Sequence, residues 1–368
     1  MKALYVSECY INMRIFTVGP SKITEKTKED LAFAATSGIA EVSHRGEKFT
    51  EISKQAIEGL KKYLKVPENY KIFYVSSATD AMQSSIANCC MDSSFHFVNG
   101  AFSKRFYNVS KAFNKKVFID EVELGKQNDF IGVNIPDEID FIAMTHNETS
   151  TGVMCTNEEI IKVKEKYPDK ILAVDITSSA ACLDLPISKA DLWFYSVQKG
   201  FGLPAGLGIL IVSPAAFEKA MKMEEEKKNK AGLFSFSHVA TKLEDKYFTI
   251  QTPNTILIYA LARKLERWNT SGGIKRKEEL SREKYSMLEE IIKKSNLEFF
   301  VKDKDVRSFT TLCLSANEDI IEEKHKKAEL VGILLGRGYG DLKTKTIRIA
   351  NFPAINTEDI KELKKVFN

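Results

Sequence analysis

The sequence predicts an α/β protein, with a mostly parallel sheet of seven strands wrapped by helices and a smaller α+β domain after it. Two observations carry this reading. Short continuous apolar runs recur through the middle of the chain with helical stretches between several of them; beyond about residue 255 the pattern changes to long charged helices around shorter runs. At 368 residues the chain is also too long for one small core, so two domains, or one large one with an appendage, are expected.

Taken in order, residues 48–65 place Ile52, Ala56, Ile57, Leu60, Tyr63 and Leu64 on one helical face, with lysines and acids elsewhere, so this helix packs on the core or on a partner. The apolar runs follow at 71–75 (KIFYV), 94–98 (SFHFV), 115–119 (KKVFI), 139–145 (IDFIAMT), 171–175 (ILAVD), 191–196 and 207–212 (LGILIV). Such runs suit strands buried on both faces. Helical stretches at 79–92, 103–113 and 157–167 lie between several of them, the alternation of a parallel sheet. Further on, 276–296, 321–336 and 357–367 read as helices around runs at 308–314 and 346–350. There is no internal repeat, low-complexity segment or Pro-rich or Gly/Ser-rich linker, so the boundary is expected inside a helix near 255–270. The expected division is a large domain over 16–262 and a small one over 263–368, joined by residues 1–15 folding back onto it.

Composition excludes several functions. With 54 Lys+Arg against 50 Asp+Glu the net charge is +4, and no basic block interleaves with aromatics, so a nucleic-acid partner is not expected. Six cysteines lie scattered without C-x-x-C spacing, which suggests neither a zinc site nor a disulfide framework and fits a reducing cytoplasm. The opening MKALYVSECYINMRIF lacks an apolar signal region, and no run of about 18 apolar residues occurs, so the chain is expected to be soluble and to have no membrane partner.

In an open α/β sheet, ligands bind beyond the carboxyl ends of the strands, and the chemically suggestive residues cluster there. After 71–75 comes Ser76-Ser77-Ala78-Thr79-Asp80, a small-residue turn opening a helix, which would aim backbone N–H groups at a phosphate. After 94–98 comes Asn99-Gly100-Ala101-Phe102; after 139–145, His146-Asn147-Glu148-Thr149-Ser150-Thr151-Gly152 offers hydroxyls and an amide to the same crevice. Asp175 ends one strand and Lys199 follows another, with Gln198 before it and Gly200, Gly202, Pro204, Gly206 and Gly208 after it, where glycines permit close approach of backbone to ligand. A carboxylate and an amine beside adjacent buried strands form the pairing that pyridoxal 5′-phosphate needs: the lysine holds the aldehyde as a Schiff base, and the acid keeps the pyridine nitrogen protonated. Each residue alone has a plainer reading. Asp175 could be a helix cap or solvated turn, Lys199 a solvated charge, the Ser76 to Asp80 turn an ordinary N-cap and Phe102 a core side chain.

Together and in order, these pieces resemble the class V aminotransferases of the fold type I pyridoxal phosphate superfamily, with the phosphoserine aminotransferases the nearest likeness. The motifs are Val18-Gly19-Pro20-Ser21, Glu41-Val42-Ser43-His44-Arg45-Gly46, Asn147-Glu148-Thr149, Asp175, Val197-Gln198-Lys199-Gly200, Gln251-Thr252-Pro253-Asn254-Thr255 and Arg348-Ile349-Ala350-Asn351-Phe352-Pro353. They span nearly the whole chain. The resemblance implies that Lys199 carries the cofactor, Asp175 pairs with its ring nitrogen, Thr149 bonds its ring hydroxyl and Phe102 stacks on the ring, where Trp is more usual. It puts the cofactor phosphate on the backbone of Ala78 and Thr79, with Gln198 nearby and Gln251 and Thr252 reaching in from a second subunit, so that a homodimer is required. Here the chain departs from a family pattern in which that loop is Gly-rich with an arginine and an Asn is commoner where Gln251 stands.

The same resemblance implies that Arg348 grips the substrate α-carboxylate and that His44 and Arg45, lent by the partner subunit, take a substrate phosphate, with Arg337 as a second contact. Phosphoserine and 2-oxoglutarate would then be the substrates, in serine biosynthesis. The spacing between Arg337 and Arg348 looks more like members acting on alanine, serine or glyoxylate, which remain the alternative. A nucleotide-binding α/β protein is the competing class, but the chain has neither G-x-G-x-x-G nor G-x-x-x-x-G-K-[ST].

Overall fold

The computed structural model describes residues 13–367. The chain enters through β1 (Arg14–Phe16), α1 (Glu25–Thr36) and α2 (Glu47–Leu64). It then runs through β2 (Lys71–Val75), α3 (Ala78–Cys89), β3 (Ser93–Val98), α4 (Ala101–Ala112), β4 (Lys116–Glu121), β5 (Phe141–Thr145), a small hairpin of β6 (Asn147–Glu148) and β7 (Val153–Met154), α5 (Asn157–Lys166), β8 (Ile171–Asp175), β9 (Leu192–Ser196) and β10 (Gly208–Val212). After α6 (Pro214–Glu225), α7 (Phe236–Lys246), α8 (Thr255–Thr270) and α9 (Gly273–Ile292) come β11 (Glu298–Phe299), β12 (Thr311–Ser315), α10 (Glu318–Leu330), β13 (Ile333–Arg337), β14 (Thr346–Ala350), α11 (Thr357–Glu362) and α12 (Lys364–Phe367).

All seven expected runs form one seven-stranded sheet in the order β2-β10-β9-β8-β5-β3-β4. Strand β10 is antiparallel to both β2 and β9; the pairs β9–β8, β8–β5, β5–β3 and β3–β4 are parallel. Hence β2, β3, β5, β8 and β9 all end on one edge, which is why the turns after them converge. Apolar side chains on both faces make this sheet the centre of the core, and Phe141, Trp193, Phe194 and Tyr195 have no exposed surface.

Local signals account for the helix starts. Ser77 caps α3 by accepting from Asp80 N–H, Thr156 and Glu159 form a capping box at α5, and Ser213 caps α6 with Pro214 in the first turn. Helix α2 buries Phe49, Ile52, Ala56, Ile57, Leu60, Tyr63 and Leu64, and packs on α8. There Gly59 approaches Leu265 so closely that a Cβ would lie 3.0 Å from the leucine Cβ.

The second sheet, β1-β13-β14-β12-β11, differs from expectation in two places. The segment 321–336 is not one helix: α10 stops at Leu330, Gly332 takes φ +73°, and Ile333–Arg337 becomes a strand between β1 and β14. A left-handed glycine after the last helical turn is a helix stop, and the apolar run behind it is buried in the sheet. The segment 357–367 likewise divides into α11 and α12. Residues 1–12 of the expected fold-back lie outside the described residues, while β1 pairs in parallel with β13 in the small sheet. One helix, α8, spans the range expected to hold the domain boundary.

Candidate active site

The turns at the shared strand edge line a cavity that opens beyond the carboxyl ends of the strands. Lys199 stands three residues past the end of β9 and is buried. Its backbone is fixed by Ser21, whose N–H donates to Gln198 O (2.9 Å) and whose hydroxyl donates to Lys199 O (2.9 Å). Gly19 lies against the lysine stem, where a Cβ would come within 3.0 Å of Cε. At the tip, Nζ donates to Thr149 Oγ1 at 2.6 Å and stands 4.7 Å from the centre of the Phe102 ring. Burial pulls the pKa of Lys199 down to about 8, against the pull of the Asp175 and Glu148 carboxylates and with the help of Arg348 and Arg105.

Asp175, at the end of β8, is also buried. Its Oδ1 accepts from Thr177 N–H (2.8 Å) and Thr177 Oγ1 (2.5 Å), whereas Oδ2 has no partner among the described residues. Burial raises its pKa, and the two Thr177 bonds and Lys199 draw it back. The small hairpin is fixed from below by Glu148, a fully buried acid. Its Oε2 accepts from Phe102 N–H (3.0 Å), Ser103 N–H (2.9 Å) and Ser103 Oγ, and its Oε1 from Ser150 N–H and Oγ. A carboxylate facing the first turn of α4 is favoured by the helix dipole, and here it sets where Phe102 sits. Gly100 is required for this approach, since a Cβ would lie 2.4 Å from Glu148 Cγ.

Arg348, on β14, reaches the site from the small sheet. Its Nε donates to Arg337 O (2.8 Å) and its Nη1 to Thr149 O (3.1 Å). Burial lowers its pKa, but a guanidinium stays charged, so a cation is held behind Thr149.

At the opposite end lies the turn 76–80. Gln198, Ala78 and Thr79 line the cavity. Ala78 N–H is engaged by Ser196 Oγ at 2.6 Å, and Thr79 N–H has no partner among the described residues. The structure therefore brings Lys199, Asp175, Thr149, Phe102, Gln198, Ala78 and Thr79 together, with Arg348 beside them. It does not bring the rest into the same chain's cavity. The guanidinium of exposed Arg337 pairs with Glu322 at 3.0 Å. His44 and Arg45 follow a short helical turn at Ile39–Glu41, Arg45 being exposed; Gln251 and Thr252 are exposed in the segment before α8.

Sequence reasoning missed three residues here. Ser196 and Thr177 sit within two or three positions of Lys199 and Asp175, where a hydroxyl beside a strand end is a weak cue. Arg105 gave none, because on a helix it reads as a solvated charge; the fold brings its Nη1 to Thr79 Oγ1 (3.4 Å) and its Nη2 to Tyr339 OH (3.0 Å).

The residues fit pyridoxal phosphate. A buried amine lies over an aromatic face, a buried acid keeps one oxygen unpartnered, and an unpartnered helix N–H stands at the far end. No group of His, Cys, Asp and Glu among the described residues could hold a metal ion. The five described cysteines are free and buried, and no described helix is long and apolar enough to cross a membrane.

Comparison with known proteins agrees with the geometry. A phosphoserine aminotransferase from Rhodococcus opacus is 26% identical, the match covering 95% of this chain and 93% of that protein. The crystal structure of a phosphoserine aminotransferase from Cytophaga hutchinsonii superposes with a TM-score of 0.93 and 32% identity, over 96% of this chain and 98% of that one. An alanine–glyoxylate aminotransferase from Nostoc sp. shares the fold at a TM-score of 0.82 and 20% identity, over 100% and 96% of the two chains. The family model for class V aminotransferases matches residues 16–328. With the cavity, its lysine and its acid in place, the chain belongs to the class V aminotransferase family and is a transaminase whose cofactor is pyridoxal 5′-phosphate.

Proposed function

We propose that this chain is a phosphoserine aminotransferase, exchanging the amino group between O-phospho-L-serine and 2-oxoglutarate to give 3-phosphohydroxypyruvate and glutamate. The observation that carries the reading is the 32% identity, sustained over almost both whole chains, to the Cytophaga hutchinsonii phosphoserine aminotransferase. Likeness of fold does not choose the substrate, since the Nostoc alanine–glyoxylate enzyme superposes well at 20% identity. His44 and Arg45 add chemical support: an imidazole and a guanidinium side by side suit a phosphate that alanine or glyoxylate does not have.

When bound through its aldehyde to Lys199, the cofactor supplies an electron sink for charge developing at the substrate α-carbon. The rest falls to this chain. Arg348, braced by Arg337 O and Thr149 O, orients the α-carboxylate. Lys199, whose pKa burial draws down to about 8, keeps a far larger neutral fraction near neutral pH than an ordinary lysine does, and its Nζ would take the α-proton and return it. Asp175, its Oδ1 held by Thr177 and its Oδ2 unpartnered among the described residues, would pair with the cofactor's ring nitrogen and hold a proton there. Burial of Lys199 and Asp175 excludes water from the transfer.

Gln251, Thr252, His44 and Arg45 match the family's motifs yet lie away from their own chain's cavity. We therefore read the working form as a homodimer in which each subunit lends these residues to the other. Serine biosynthesis in the cytoplasm is the setting that suits this reaction. The test is the visible spectrum of the purified protein on adding L-phosphoserine, L-serine or L-alanine separately. Loss of the band of the Lys199-bound cofactor with phosphoserine at low concentration, and with neither of the others, is expected. Loss with serine or alanine instead would move the function to another class V branch.

A further inference from the structure

The turn at 76–80 is poorly supplied for an anion from its own backbone. Of the first four amides of α3, Ala78 N–H donates to Ser196 Oγ (2.6 Å), Asp80 N–H to Ser77 Oγ (3.2 Å) and Ala81 N–H to Ser77 O (2.9 Å); Thr79 N–H alone lacks a partner among the described residues. Asp80 also brings a carboxylate, folded back onto Ser76 N–H (2.8 Å) and Ser76 Oγ (3.0 Å). A phosphate monoester at this end would meet one open N–H and a negative charge close by. The balancing cation must come from elsewhere.

Arg105 stands in that place. It lines the cavity from α4, one turn beyond Phe102, with its guanidinium carbon 5.2 Å from the Phe102 ring centre. Two neutral hydroxyls hold it: Nη1 donates to Thr79 Oγ1 at 3.4 Å and Nη2 to Tyr339 OH at 3.0 Å. It forms no ion pair with a carboxylate among the described residues. A half-buried guanidinium aimed by hydroxyls and left without an acid is arranged to receive an oxyanion.

We propose that Arg105 is the cation that receives a phosphate monoester at the Thr79 end of the cavity, positioned there by Thr79 and Tyr339. Two such groups enter this site. One is the cofactor's own; the other is the substrate's, and that half alone rests on the phosphoserine reading. Because Tyr339 lies between β13 and β14, the contact also ties the small sheet to the mouth of the cavity.

Dissociation constants separate these sources. Pyridoxal phosphate and pyridoxal are titrated by equilibrium dialysis into the cofactor-free protein, for wild type, Arg105→Gln and Arg105→Lys. Phosphoserine and serine are titrated by the spectral change of the loaded enzyme. Arg105→Gln is expected to weaken a phosphorylated ligand about tenfold or more while sparing its unphosphorylated counterpart, and Arg105→Lys to recover part of the loss. A selective loss in the first pair assigns the cofactor's phosphate; one in the second pair assigns the substrate's. Equal losses within each pair, or none in either, overturn the proposal. If Arg105→Gln does not fold, Tyr339→Phe removes only the hydroxyl behind Nη2. A smaller loss of the same selectivity supports the assignment, and unchanged constants for all four ligands refute it. The cofactor pair gives its answer even if phosphoserine is not the substrate.

Discussion

The carboxyl edge of the large sheet and the helical layer of α2, α8 and α9 both bury lysine side chains, and the two regions treat them differently. Lys199 at the sheet edge and Lys264 on α8 are both buried, and burial lowers both, to about 8 and about 7. Among the described residues Lys264 donates only to Gly202 O, at 3.4 Å, and it lies against the Trp268 ring. Lys284 on α9 is similar, lowered to about 8 and bonded to Phe352 O and Ile355 O at 2.9 Å each. A displaced pKa thus reports desolvation wherever it occurs. What separates Lys199 is its company: a hydroxyl at 2.6 Å, an acid with an unpartnered oxygen, and empty volume in front of it.

The largest effect is expected where that company is removed altogether. Lys199→Ala should lower transamination by at least about a thousandfold while leaving the melting temperature and oligomeric state as in the wild type. Lys264→Ala should change stability instead of turnover. Wild-type turnover in Lys199→Ala would end the distinction between the two lysines.

Asp175→Asn tests the acid. It keeps the shape and the capacity to accept from Thr177 but loses the negative charge, so the half-reaction with an amino donor should slow by about a hundredfold or more, with cofactor still bound. Single-turnover absorbance reads this directly, and an unslowed half-reaction would make Asp175 a mere turn residue.

A smaller effect is expected at the residues assigned to the partner. Arg45→Ala should weaken phosphoserine binding by about tenfold with little change for unphosphorylated donors. Equal weakening for both classes would remove the reason for placing a phosphate there.

Legibility followed the same division. The central strands β5, β8, β9 and β10 are apolar runs because burial on both faces leaves little polar alternation to confuse them, and the edge strand β4, half-exposed, still showed through its Val117-Phe118-Ile119 run, so all seven were visible. The small sheet was half visible. β12 and β14 were legible as apolar runs, whereas Ile333–Arg337 was hidden in a helical pattern that only Gly332 interrupts. The helices α1, α6 and α7 went unread; Ser213-Pro214 was a usable start signal for α6. In the site, residues tied to strand ends could be found from the one-dimensional pattern, since parallel topology carries strand ends to one edge. Arg105 could not, because its role depends on α4 lying beside the turn after β2, a contact between segments some 26 residues apart. Glu148 was quoted only as part of a motif, and its work at the start of α4 needed the fold.

The smallest effect is expected at Lys264, through pH. Lys264 has a folded pKa near 7, below the value of about 10.4 for an unfolded lysine, so the unfolded chain binds the proton more readily. The resulting penalty on the folded state is absent above the unfolded pKa. It grows as pH falls and is complete once pH is below the folded value. Replacing this side chain by methionine keeps the apolar stem on Trp268, sacrifices one long hydrogen bond and removes the penalty. Lys264→Met should therefore be more stable than wild type, by on the order of a few kcal/mol near pH 7. The gap measured by denaturant unfolding should narrow at pH 9.5, and turnover should be unchanged at both. A gap that is constant with pH would show that Lys264 keeps its charge hydrated. The contrast with Lys199 would then rest on solvent access rather than on the partners each lysine faces.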